Sequence, residues 1–438
     1  MATTVEKAAR EARGAALALA ALPVATRNRA LEAMAQGVAA RREEILAANE
    51  RDRAAARALV ASGRITQSDA KRLDLSGAKF DAVIEGLRSV AALPDPLGIV
   101  QLKTELDDGL VLERVSCPIG VIAVIFESRP DALPQIASLC LKSGNALLLK
   151  GGSEARESNR ILATVLDEAA RSVAGIPAGW MTLLETREEI AEILKLDECI
   201  DLIIPRGGNA LCRYIMENTR IPVTGHRDGI CHTYVHADAD EARAVRLAVD
   251  GKCQYPGVCN ATETLLFDRA SAKRTMPAVL AALEEKGVAL RLDPVAKTFV
   301  ADPGRYGDAT EEDWRTEYLD LKLSVRVVAD LGEAIAHINR YGSHHTDTIV
   351  TENAGAAERF LAEVDSASVM HNASTRFSDG FRYGLGAEVG ISTGKLHSRG
   401  PVGLEGLTIY KYILRGTGQV VADYSGAGAR KFTHRRLA

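Results

Sequence analysis

Apolar residues recur at three- and four-residue spacing through residues 1 to about 95, in stretches such as Ala30-Leu-Glu-Ala-Met-Ala-Gln36 and Arg41-Arg-Glu-Glu-Ile-Leu-Ala-Ala48. That period puts one face of each stretch on a core and predicts helices. Pro23 and the region of Gly63 interrupt them, and Pro94, Pro96 and Gly98 close the helical part. The period then changes. Gln101 to Val115 reads as two strands flanking Asp107-Asp108-Gly109, where Asp-Gly favours the positive dihedrals of a tight turn, so a hairpin is expected. Standing ahead of the main sheet, such a hairpin has the character of an arm that pairs with another subunit.

From Gly120 the pattern becomes strand, loop and helix in alternation, the signature of a parallel sheet with crossover helices. Expected strands are Val121–Phe126, Ala146–Lys150, Trp180–Leu184, Ile200–Pro205 and Pro222–Thr224, with helices at Ser158–Arg171 and Glu188–Leu196 between them. A second alternating unit follows Gly229, with strands at Cys231–His236, Thr262–Phe267, Ala289–Leu292, Lys322–Val328, Thr346–Val350 and Ala367–His371. A glycine-rich stretch from Gly380 to Gly406 leads into Leu407–Arg415, a last strand suited to pairing with the early hairpin. The fold class is therefore α/β, with two doubly wound units.

Composition narrows the function classes. The chain is 47% hydrophobic and 26% charged, with 54 basic and 58 acidic residues and a net charge of −4. This is ordinary globular composition without a basic face for nucleic acid or a polybasic membrane anchor. The short basic tail Arg430-Lys-Phe-Thr-His-Arg-Arg436 is expected to be solvated. The first residues carry no secretory signal pattern, and the longest apolar run, Ile119 to Phe126, is too short to span a bilayer. Seven scattered cysteines without a Cys-x-x-Cys pair suit a soluble, cytoplasmic protein with reduced thiols. Cys231, His232, Cys253 and Cys259 match no familiar zinc spacing, so no metal is expected.

Candidate chemistry centres on Gly251 to Phe267. Pro256-Gly257 forces a turn, and Cys259-Asn260 stands just before a strand, where a thiol can face a cleft. Cys253, at a helix end, is the better candidate for simple packing. Two glycine loops follow strands directly: Lys150-Gly151-Gly152-Ser153, and Arg206-Gly207-Gly208 after Pro205. Close backbone approach, free N–H groups at a helix N-terminus and the Lys150 charge make the first a candidate for a phosphate or ribose, and the second repeats that logic. Together they point to a dinucleotide, although no Gly-x-Gly-x-x-Gly follows a strand. Gly384-Leu-Gly-Ala-Glu-Val-Gly390 has the wrong spacing and context to be a cofactor loop. Arg129, His226-Arg227 and Arg376 are basic residues on candidate cleft loops, and Arg129 and Arg376, at strand ends, suit an anionic ligand.

Several strings carry a family resemblance: Phe126-Glu-Ser-Arg-Pro130, Pro205-Arg-Gly-Gly208, Gly229-Ile-Cys-His-Thr-Tyr-Val235, Val258-Cys-Asn-Ala-Thr-Glu-Thr-Leu-Leu266 and the run from Asn372 through Thr393. With them the chain resembles, over nearly its whole length, the γ-glutamyl phosphate reductases of the aldehyde dehydrogenase superfamily. The resemblance implies NADPH-dependent reduction of L-glutamyl 5-phosphate to the semialdehyde, with release of phosphate, in proline synthesis. It also implies a Rossmann-like cofactor domain, a second α/β catalytic domain and a small β oligomerisation arm. The corresponding division is 1–101 and 117–229 for the N-terminal helices and NADP-binding domain, 230–404 for the catalytic domain, 102–116 and 405–425 for the arm, and 426–438 for the tail.

By the same resemblance Cys259 is the nucleophile. Lys150 and its loop face the adenine ribose, Arg206-Gly-Gly the pyrophosphate, and Glu317 the nicotinamide ribose. Oxidising relatives carry Glu-Leu-Gly-Gly-Lys upstream of the cysteine, with the glutamate activating water; the equivalent stretch here reads His226-Arg-Asp-Gly-Ile230, so thioester hydrolysis is not expected.

An acyl phosphate offers a good leaving group, and a cysteine thiolate would expel it to form a thioester. A free thiol of pKa near ~8.5 is only slightly ionised at neutral pH, so nearby positive charge or a backbone dipole is required. The backbone N–H of Cys259 with Ser128 or Asn260 would hold the oxyanion. Arg129 and Arg376 would hold the substrate's phosphate and carboxylate ends. A homo-oligomer is expected, and glutamate 5-kinase, which makes the unstable substrate, is a candidate partner. The acidic Glu154 beside the ribose loop leaves the choice between NADP and NAD open. Two other readings stand beside this one: a coenzyme-A-acylating aldehyde dehydrogenase, and a catalytically silent scaffold of the same fold.

Overall fold

The computed structural model describes residues 3–437 apart from Arg64, Thr66, Ser128, Arg187, His226 and Arg227, and apart from the side chains of Ser68 and Asp69. Five helices come first: α1 (Thr4–Ala20), α2 (Val24–Ala40), α3 (Arg42–Ala61), α4 (Gln67–Arg72) and α5 (Ala78–Ala92). Thr3 caps α1 by accepting from the Glu6 N–H, and the helix buries Val5, Ala8, Ala9, Ala12, Ala15, Ala16 and Leu19, the stripe its period implies. The apolar faces of α1, α2, α3 and α5 share one core with the first sheet, and α4 packs through Ala70 on a small separate cluster of Ala56, Leu73 and Ala155.

The hairpin follows as β1 (Val100–Asp107) and β2 (Leu110–Pro118). Only Gly109 takes positive φ, +66°, so the turn is not the doubly positive kind that Asp-Gly favours. Next come β3 (Val121–Phe126), α6 (Ala132–Lys142), β4 (Ala146–Lys150), α7 (Arg156–Arg171), β5 (Met181–Leu184), α8 (Glu188–Ile193), β6 (Leu202–Arg206) and α9 (Asn209–Glu217). Their strands form a parallel sheet in the order β5-β4-β3-β6. Covered on both faces, β3 and β4 are apolar and buried nearly throughout, as the uninterrupted runs require. The strand expected at Pro222–Thr224 reduces to a single bridge between Val223 and Ile203.

The second unit contains β7 (Cys231–Val235), α10 (Glu241–Cys253), β8 (Thr262–Asp268), α11 (Arg269–Glu285), β9 (Ala289–Leu292), β10 (Gly307–Asp308), β11 (Lys322–Val328), α12 (Leu331–Tyr341), β12 (Thr346–Val350), α13 (Ala354–Glu363) and β13 (Ser368–His371). All its strands are parallel, in the order β10-β9-β11-β8-β7-β12-β13. A small ribbon of β14 (Ile391–Ser392) and β15 (Gly400–Pro401) precedes β16 (Thr408–Arg415), which pairs antiparallel with β2 along its length.

The tail departs from expectation. It is exposed but not simply solvated: β17 (Arg435–Arg436) adds to β1, completing an arm sheet of order β16-β2-β1-β17. Arg430 pairs with Asp107 and Arg435 with Glu105, and Phe432 stacks on Tyr424. Among the described residues no helix is long and apolar enough to cross a membrane.

The second unit also buries a titratable layer. His337 on α12 is enclosed by Trp314, Tyr341 and His232, and burial, reinforced by His232 and two arginines, pulls its pKa down to about 2. A neutral native histidine favours the fold fully above the unfolded value of 6.5, and this contribution is lost as pH falls and the unfolded chain takes up the proton. The loss by pH 5.5 is about 1.4 kcal/mol. His337→Phe, compared with the parent by denaturant unfolding at about pH 8.5 and about pH 5.5, should show a smaller drop between them; equal drops would rule out His337 as the source.

Candidate active site

The Cys259 turn is placed by its two flanks. Helix α10 ends at Cys253 and β8 begins at Thr262, and the residues between them cross the amino ends of the second sheet. There β7 lies between β8 and β12, so Cys231 and His345 stand beside the turn. The first sheet meets this region from its carboxyl ends, where Phe126, Lys150 and Arg206 terminate their strands. Cys259 thus occupies the amino end of its own sheet, opposite to the carboxyl-end location that doubly wound sheets lead one to expect of a ligand site. Arg72 of α4 reaches across to the carbonyl of Gly257, fastening the turn to the N-terminal helices.

Cys259 is half-buried. Its Sγ lies 3.2 Å from His345 Nε2, and its carbonyl oxygen accepts from the Cys231 thiol at 3.2 Å. The backbone of Gly229 presses on it so closely that a Cβ there would stand 2.2 Å from the Cys259 carbonyl oxygen. Asn260 is buried and gives one Nδ2 hydrogen to the Ser378 carbonyl at 2.8 Å, while its Oδ1 has no partner among the described residues. Ser128, the other oxyanion candidate, and His226-Arg227 lie outside the described residues.

Two guanidinium groups extend their fields to Cys259. Arg376 is buried, and its Nε donates to Gln254 Oε1 at 3.0 Å just beyond α10. Burial lowers its pKa, with Arg382 adding to the shift and Cys259 opposing it. Arg206 is enclosed at the end of β6; burial lowers its pKa too, against the pull of Glu388, Asp131 and Cys259. Among the described residues its ion-pair contact, Nη2 to Glu388 Oε1, is long at 3.9 Å, and its Nη1 has no partner. Arg129, at the end of β3, contributes further positive charge to the same pocket. The Gly380–Gly390 stretch is a wall of this pocket: Gly390 packs on the Arg206 side chain, and Glu388 accepts from the Gly380 N–H.

The first glycine loop differs from expectation in one respect. The N–H groups of Glu157 and Ser158 at the start of α7 are taken by the Asp52 carboxylate of α3, at 3.1 and 2.7 Å. The helix end is therefore already capped by an anion and is a poor phosphate site. Lys150 is buried with Nζ 2.6 Å from the Gly151 carbonyl, and burial lowers its pKa. A shallow groove lies beside it, lined by Gly151, Gly152, Ser153, Arg156, Asn159 and Glu185 among others. Neither amide atom of the buried Asn159 has a partner among the described residues, and a Cβ on Gly151 would strike its Nδ2. In the second loop, the Gly208 N–H donates to Glu127 Oε2 at 3.0 Å, which closes Gly207 and Gly208 onto the end of β3.

Glu317 stands half-buried on the segment leading into β11. That segment is tied to the nucleophile by residues that the sequence did not single out. Lys252, on the last turn of α10, and Glu263, on β8, form a fully buried ion pair of 2.6 Å. Glu263 also accepts from the Leu319 N–H at 3.3 Å, and Leu319 is held at φ +54°. Burial drives the Glu263 carboxyl up to about 7 against the pull of Lys252. The only local signals were a lysine inside a half-buried helix and a glutamate inside an apolar strand. His345 was missed as well: it precedes β12 in Ser343-His-His-Thr346, and its thiol partner is 86 residues away.

Comparison with known proteins agrees with this architecture. The family model for the aldehyde dehydrogenase family matches residues 1–297. The gamma-glutamyl phosphate reductase of Methanosarcina acetivorans is 52% identical over 439 residues, spanning 100% of this chain and 98% of the relative. That of Pelotomaculum thermopropionicum is 55% identical over 430 residues, or 98% and 96%. The crystal structure of the Thermotoga maritima gamma-glutamyl phosphate reductase superposes with a TM-score of 0.90 at 38% identity, covering 95% of this chain and 100% of that one. An acetylating aldehyde dehydrogenase from Geobacillus thermoglucosidasius, at 18% identity and a TM-score of 0.67, shares the fold. The chain belongs to the aldehyde dehydrogenase family and, within it, to the gamma-glutamyl phosphate reductases.

Proposed function

We propose that this chain reduces L-glutamyl 5-phosphate to L-glutamate 5-semialdehyde with NADPH, releasing phosphate, and that Cys259 carries the acyl group as a thioester. The observation that carries this reading is a half-buried thiol within the fields of two enclosed guanidinium groups, at the meeting of the two sheets. Positive charge there attracts an anionic acyl phosphate. Arg206, with an unpartnered Nη1, is suited to the phosphoryl oxygens, and Arg129 adds charge beside it. Arg376 is suited to the substrate's carboxylate end. The Cys259 N–H and the second Nδ2 hydrogen of Asn260 are available for the oxyanion.

The first glycine loop is suited to the cofactor because Asn159 beside it has an amide without a partner among the described residues, and Gly151 lets the backbone pass close to that amide. Lys150, Gly151, Gly152 and Ser153 would hold its adenine ribose, Arg206-Gly207-Gly208 the turn beside its pyrophosphate, and Glu317 its other ribose. When bound, the nicotinamide supplies hydride to the thioester carbon. In the stretch that replaces the water-activating glutamate, Gly229 packs on Cys259 and brings no carboxylate there, and the Asp228 carboxylate accepts from Asn209. The exposed β16 residues Ile409, Tyr410, Tyr412 and Leu414 support pairing of the arm with a second copy.

Cys259→Ala should lower phosphate-dependent NADP reduction by the semialdehyde to below about a thousandth of the parent rate, with the melting temperature kept. Retained activity, or turnover with coenzyme A and not with phosphate, would contradict the reading. Gly229→Ala should also cost activity, because its methyl must displace the Cys259 backbone, and alkylation of Cys259 should slow in the same variant. An unchanged alkylation rate would show that the close approach is not needed to place the thiol.

A further inference from the structure

The imidazole of His345 takes no part in the assignments above, yet it touches the sulfur on which they depend. The ring is fully buried at the start of β12. Nε2 lies 3.2 Å from Cys259 Sγ, and Nδ1 lies 2.8 Å from Thr346 Oγ1 and 3.8 Å from Cys231 Sγ. Cys231 cannot compete for a proton, because burial pushes its thiol well above the ordinary range and its S–H is directed at the Cys259 carbonyl. A ring held at Nδ1 by a buried hydroxyl, with Nε2 facing a thiol, has the geometry of a general base.

We propose that His345 is a catalytic acid–base residue, with Nε2 taking the Cys259 proton as the sulfur attacks the acyl carbon. This rests on Cys259 being the nucleophile. The S–H bond breaks and its proton passes to Nε2. The electron pair left on sulfur forms the S–C bond, the C–O bond to phosphate breaks, and that pair departs with phosphate. The imidazolium then returns its proton to the departing phosphate and is neutral again. Thr346 Oγ1, accepting from Nδ1–H, keeps the Nε2 lone pair turned toward the sulfur, and so acts as a positioning residue.

Iodoacetamide reacts with the thiolate only, so its rate at Cys259, followed by peptide mapping from about pH 5.5 to about pH 9.5, reports the proton transfer without substrate or cofactor. His345→Gln should slow alkylation about tenfold or more near neutral pH. Its profile should move to higher pH and rejoin the parent rate at the alkaline end. Thr346→Val should show a smaller shift in the same direction, and Thr346→Ser should restore the parent profile. These two variants decide the matter should His345→Gln fail to fold. A His345→Gln profile that superimposes on the parent, or a rate lowered equally at every pH, would overturn the proposal. If Cys259→Ala is inactive in that case, the thioester reading stands and only the role of His345 falls; if Cys259→Ala is active, the reading beneath it fails.

Discussion

Lys252 and Glu263 face each other at 2.6 Å without solvent exposure, seven residues before and four after Cys259. Burying such a pair adds little net stability over apolar residues of the same size, but removing one partner costs about 3–5 kcal/mol because the other charge is left buried and alone. Its effect is therefore chiefly geometric. It clamps the end of α10 to β8, so that the Cys259 turn has fixed ends, and through Leu319 it holds the segment that carries Glu317. Thiol and Glu317 segment are thus referred to one buried carboxylate.

The remaining constraints act on the turn from outside. Gly229 presses on its backbone, Arg72 holds Gly257, and Asn260 is fastened to Ser378. The sulfur left facing the pocket has an imidazole nitrogen within hydrogen-bond range and lies in the field of Arg206 and Arg376. These contacts suit the proposed attack of Cys259 on an anionic acyl donor.

Periodicity made the two α/β units and the arm legible, because strand and helix spacing depend on which faces are covered. Chemistry carried by distant pairs was not legible. The α7 N-terminus read as open for an anion, but Asp52, 106 residues before Ser158, fills it. The tail read as solvated, but its arginines find Glu105 and Asp107 on the arm, more than 300 residues earlier in the chain. Cys259 stood out through local turn chemistry, whereas His345 became visible only when the sheet order brought β12 beside β7. Arg206 was recognised as a cleft residue by its loop, but its turn toward Glu388 and Cys259 depends on the Gly380–Gly390 wall.

The central claim is that Cys259 carries a thioester that resists water and is discharged by phosphate. Incubating the protein with glutamate semialdehyde and NADP in phosphate-free buffer, followed by mass spectrometry of the Cys259 peptide, tests it directly. The account predicts a glutamyl adduct on Cys259 that persists in buffer and disappears when inorganic phosphate is added. An adduct on another residue, or one that water discharges to glutamate as fast as phosphate does, would contradict it.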